Sequence, residues 1–111
     1  MLGIMNVQSH HNNKDFGAFQ PWARLAQINS PTTQQFGVPM LIAQNPKDDL
    51  VEPSVTLAHA HALCRSGAQL RYLPVSGSGH ATTAKDSTKE TLSWIADRFA
   101  GLRAPSDCGK I

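Results

Sequence analysis

A chain of 111 residues is one domain at most, large enough for a small core and marginal if it is cut from something larger. Ten Lys and Arg against eight Asp and Glu leave a net charge of +2, too small and too evenly spread to point to nucleic acid, and an apolar content of 41% is far from a disordered composition. No apolar run approaches the roughly eighteen residues of a transmembrane segment, and Met1 to Met5 is too short, and lacks the basic start, for a signal peptide.

Residues 1–37 read as an irregular lead-in interrupted by a short helix over about 21–28. Pro21 suits a first helical turn, Trp22, Leu25, Ala26 and Ile28 share a face, and Asn29-Ser30-Pro31 stops the helix because a residue before proline avoids the helical region. Val38 to Ala43 is a continuous apolar run, the pattern of a strand buried on both faces. Ser54 is an N-cap candidate for a helix over Val55 to Arg65, and Gly67 stands where such a helix ends. Ala68 to Val75 then reads as a second strand, which makes a βαβ unit with an expected right-handed crossover.

Ser87 and Glu90 have capping-box spacing, and Leu92, Ile95, Ala96 and Phe99 form the clearest helical stripe in the chain, ended by Gly101. That stripe reads as core, Asp97 and Arg98 as a solvated face, and Trp94, lying off the stripe, as covered by another surface such as the tail. Residues 102–111 read as an extended tail. The fold class is α/β: a βαβα unit over 38–101 whose two strands cannot cover both faces of a sheet, so the remaining strands are expected upstream or on a partner chain.

Functional loops of open α/β sheets lie at the carboxyl ends of the strands. Gln44-Asn45-Pro46-Lys47-Asp48-Asp49-Leu50-Val51 follows the first strand, and Ser76-Gly77-Ser78-Gly79-His80 follows the second. Asp48 and His80 would therefore hang over one edge, where a carboxylate can accept the Nδ1 proton of an imidazole and free its other nitrogen to take a proton from a serine. Asp49 is a rival acid one residue on. His59 and His61 are two apart on a helix and point to different faces, so they do not read as a chelating pair; His10-His11 read as adventitious at most. Cys64 and Cys108 are the only cysteines, either a free buried thiol in a helix with a tail thiol, or a bridge between helix and tail.

An acid and then a histidine after consecutive strands matches the chain order of α/β-hydrolases. From Val38 onward the chain resembles the C-terminal part of α/β-hydrolase lipases, in particular the secretory lipases. The resemblance is carried by Val38-Pro39-Met40-Leu41-Ile42-Ala43-Gln44 running into Asp48, Leu50-Val51 and Pro53; by Ala62-Leu63-Cys64 with Gly67; by Gly79-His80; and by Leu92 to Gly101 closed by Ala104 to Cys108. Trp22, Arg24 and Asn29-Ser30-Pro31 extend it upstream. It implies Asp48 as the triad acid, His80 as the triad base, a Cys64–Cys108 disulfide, a secreted protein, and hydrolysis of acylglycerol-like or other lipophilic carboxylic esters without metal or cofactor. The implied partners are the ester or lipid substrate and the upstream part of the same hydrolase domain.

The chain departs from the family in having Asn45 and Pro46 where the family has Gly and a small residue, and in lacking a Gly-x-Ser-x-Gly turn; Ser76 and Ser78 lie too near His80 to replace it. The expectation is a C-terminal fragment that is incomplete as a catalyst. The alternative is a stand-alone, non-catalytic α/β remnant or interaction module; a peptidase or acyl-esterase relative would use the same Asp and His.

Overall fold

The computed structural model describes residues 16–33 and 37–111, and the chain divides into two compact units, Met1–Thr32 and Thr33–Ile111. In the first, a 3-10 turn over Phe16–Ala18 precedes α1, Trp22–Asn29. Pro21 takes the N-cap position of α1, and its carbonyl accepts the Leu25 N–H at 3.0 Å. Two side chains close the other end: Asn29 Nδ2 donates to the Leu25 carbonyl at 2.8 Å and Ser30 Oγ to the Ala26 carbonyl at 2.7 Å.

The second unit runs β1 (Met40–Gln44), α2 (Pro53–Arg65), β2 (Leu70–Pro74), a 3-10 turn over His80–Thr82, α3 (Thr83–Asp86) and α4 (Thr88–Phe99). β1 and β2 form a parallel two-stranded sheet in the register Met40↔Leu70 through Gln44↔Pro74. With its flanking helices this is a partial α/β arrangement. The core is small and lies where α2 meets the sheet: Ala60, Leu63, Ala68 and Leu70 are buried there.

α2 begins one residue before the expected cap. Pro53 is its first residue, where a missing N–H costs nothing, and Glu52 is the N-cap; Ser54 Oγ turns to Glu52 Oε1 at 3.4 Å instead of capping. The other end is a Schellman closure. Gly67 at φ +95° donates to the Cys64 carbonyl at 3.0 Å, and Ala68 donates to the Leu63 carbonyl at 3.0 Å.

The α4 expectations need correction. The capping box does not form: Ser87 is helical itself and its hydroxyl donates back to the Ala84 carbonyl at 3.2 Å, because α3 runs almost directly into α4. The stripe read as core is turned outward, with Leu92 60%, Ile95 38% and Phe99 90% exposed. Asp97 and Arg98, read as a solvated face, are half-buried, as is Trp94. Trp94 is covered by Arg98, whose guanidinium carbon lies 5.2 Å from the ring centroid while Nη2 donates to the Arg103 carbonyl of the tail at 3.2 Å.

The tail closes one edge of the sheet. Asp107 N–H donates to the Leu70 carbonyl at 2.8 Å, and its Oδ2 accepts the Tyr72 N–H at 3.0 Å and Arg71 Nη1 at 2.8 Å. Pro74 has no N–H to offer, so a single buried aspartate and a proline occupy the outer side of β2. The tail is fixed by the Cys64–Cys108 disulfide, whose Cα atoms are 5.4 Å apart and whose loop spans 44 residues.

Asp107→Ala is expected to lower the unfolding free energy by about 1–3 kcal/mol, since it strips the Tyr72 N–H of its acceptor. Replacing both cysteines by serine is expected to cost about 2–4 kcal/mol. Because both devices hold one tail, the combined variant should lose less than the sum, which urea denaturation followed by tryptophan fluorescence measures.

Candidate active site

The parallel register brings the ends of β1 and β2 side by side, and the loops that leave them meet. Asn45-Pro46-Lys47-Asp48 is a tight turn: the Asp48 N–H donates to the Asn45 carbonyl at 3.1 Å, and Asn45 Oδ1 accepts the Lys47 N–H at 2.8 Å. Asn in the first position supplies that side-chain bond and Pro in the second presets the backbone angle. The departure at Asn45 and Pro46 is therefore compatible with a turn that presents Asp48.

Asp48 is 8% exposed and its carboxylate is surrounded by donors. Oδ1 accepts the Leu50 N–H at 3.0 Å and the Val51 N–H at 2.8 Å, and His80 Nδ1 lies 3.1 Å from Oδ1 and 3.0 Å from Oδ2. Burial pushes the Asp48 pKa up, but the Val51 N–H, the His80 ring and the Leu50 N–H outweigh it and hold the group at about 2, below its ordinary 3.8.

The loop that carries His80 depends on glycine. Gly79 is buried at φ +121° and ψ −154°, a conformation that is essentially glycine's alone, and its missing Cβ would stand 3.4 Å from the Lys47 carbonyl of the acid loop. At Gly77 a Cβ would run into the Asp86 carboxylate. Thr83 Oγ1 donates to the Gly79 carbonyl at 3.0 Å and so ties α3 to the turn that begins at His80. The His80 side chain is 44% exposed, beside an open cleft of about 360 Å³ lined in part by Ala43, Val51, Thr83, Ala84 and Ser87. Neutral imidazole that donates from Nδ1 to a carboxylate keeps Nε2 as a proton acceptor.

The rival Asp49 is exposed, and the acid joined to His80 by hydrogen bonds is Asp48. His59 and His61 are both half-buried on α2, and among the described residues no group of three or more His, Cys, Asp and Glu is placed to hold a metal. His10-His11 lie outside the described residues. Sequence reasoning passed over Gln44, which is buried at the end of β1 with its amide on the acid loop. Its sign was a polar residue closing an otherwise apolar strand. Among the described residues no helix is long and apolar enough to cross a membrane.

A parallel βα unit with a buried carboxylate on an exposed imidazole, both at strand carboxyl ends, describes a partial α/β protein with a candidate acid–base site. A model of the secretory lipase family matches residues 23–107, a span that includes Asp48, Cys64 and His80, and the chain belongs to that family. No curated protein and no solved structure matches it. Family and disulfide both fit an extracellular location.

Between pH 3.8 and about 2, the unfolded chain binds a proton at Asp48 that the folded chain does not. The stability this group contributes is complete above the unfolded value and lost as pH falls through the folded one. Asp48→Asn is expected to flatten that part of the acid-unfolding curve, read as the urea midpoint from pH 5 to 2. A variant curve as steep as the wild type's would remove Asp48 as the shifted group.

Proposed function

We propose that this chain is the C-terminal part of a serine lipase or carboxylesterase of α/β-hydrolase fold, secreted, and acting on lipophilic esters. His80 Nε2 takes the proton of a serine hydroxyl as the hydroxyl attacks the ester carbonyl, then returns it to the leaving alcohol. Asp48 holds the imidazole in the tautomer this requires and stabilises its charged form. The observation that carries the reading is His80 Nδ1 at 3.0 and 3.1 Å from the two oxygens of a buried carboxylate. The family supports lipid esters as the substrate class.

No Gly-x-Ser-x-Gly turn occurs in the 111 residues, so in this reading the nucleophile belongs to another segment of the hydrolase. One further observation favours a surface that meets such a segment: Leu92, Ile95 and Phe99 are exposed on one face of α4.

In an enzyme that joins this chain to the serine-bearing part, His80→Ala is expected to lower kcat on a p-nitrophenyl ester by about a thousandfold or more, with KM little changed. Undiminished hydrolysis would overturn the role of His80 and favour a non-catalytic module.

A further inference from the structure

Asp48 is anchored unevenly. Oδ1 has two backbone N–H donors from Leu50 and Val51, but among the described residues Oδ2 meets only His80 and the side chain of Gln44. The rotation of a carboxylate about its last bond is broad and roughly twofold, so donors on one oxygen alone do not fix its plane.

Gln44 is the last residue of β1 and is 5% exposed. Its Nε2 lies 3.1 Å from the Asn45 carbonyl, 3.3 Å from the Val51 carbonyl and 3.3 Å from Asp48 Oδ2. Val51 in turn gives its N–H to Asp48 Oδ1 at 2.8 Å. A single amide thus spans the acid loop at both ends and reaches the carboxylate oxygen that the loop backbone leaves uncovered. A glutamate of the same shape would set a second anionic oxygen against Oδ2, and leucine would take away the two N–H groups that the Val51 carbonyl, the Asn45 carbonyl and Oδ2 share, leaving Oδ2 to His80 and the Asn45 carbonyl to the Asp48 N–H. A side-chain amide is the group that fits.

We infer that Gln44 is a positioning residue for Asp48: its amide sets the plane of the carboxylate and keeps Oδ2 ligated when His80 turns toward the cleft. His80 is exposed and has to move protons, so it is a poor sole anchor for Oδ2. Gln44 sits at the end of a strand and is held by backbone carbonyls, so it supplies an anchor that stays in place. The inference deepens the hydrolase reading and rests on it for its purpose. Its test reads the carboxylate and not hydrolysis, so either can fail alone.

The experiment is an NMR titration of the whole 111-residue chain from pH 5 downward, following Asp48 ¹³Cγ and the Gln44 side-chain ¹⁵N–¹H pair. In the wild type the Gln44 amide is expected to shift with the midpoint of Asp48; an amide that does not respond would overturn the inference, without any variant having to fold. Gln44→Leu and Gln44→Glu are expected to raise the Asp48 midpoint by about half a unit or more, the glutamate further, because the charged form loses a donor or gains a like charge. Variants that melt earlier yet keep the wild-type midpoint would make Gln44 a packing residue only.

Discussion

The parallel pairing of Met40–Gln44 with Leu70–Pro74, continued by the Val75 N–H on the Gln44 carbonyl at 2.9 Å, is what places everything else in the second unit. It sets the carboxyl ends of both strands at one edge, so the turn at Asn45 and the glycine loop at Ser76 leave from adjacent points. Gly79 then lets the two loops approach closely enough for His80 to reach Asp48. A slip of one residue in this ladder would exchange the faces of the strand side chains and shift the loop that carries His80 relative to Asp48.

So short a sheet needs support at its sides. Leu63 and Leu70 are fully buried between α2 and β2, and the outer side of β2 is closed by Asp107. The aspartate imitates a neighbouring strand: its N–H serves Leu70, and its side chain serves Tyr72 in place of a backbone carbonyl. The Cys64–Cys108 bridge keeps this imitation in place by tying the tail to the helix that crosses between the strands. Disulfide, edge and site are linked through β2, since its far end delivers His80.

Much of this was legible in the amino-acid order. An apolar run marked the first strand, alternation of Leu70 and Tyr72 with Gln69 and Arg71 marked the second, Gly67 marked the end of α2, and the order of acid and histidine marked the candidate pair. The choice of Asp48 over Asp49 rested on the family pattern, since two adjacent carboxylates are equivalent until the turn decides which one points inward. The direction of α4 was not legible: a stripe of Leu92, Ile95 and Phe99 tells which residues share a face, not which way the face is turned. Capping failed at Ser54 and Ser87 for a similar reason, because a preceding proline or helix changes where the helix starts. Asp107 was invisible as an edge cap, since its partners are some 35 residues away in the chain.

The claim on which the site depends is that the Asp48 carboxylate holds the His80 ring with its proton on Nδ1, so that Nε2 faces the cleft as a base. The direct measurement is the ¹⁵N spectrum of the His80 imidazole in the neutral form, where the two ring nitrogens report the tautomer. The expected result is an Nδ1-protonated ring coupled to a low-field proton on the Asp48 hydrogen bond. A ring protonated mainly on Nε2, or one whose tautomer is the same in Asp48→Asn, would contradict it.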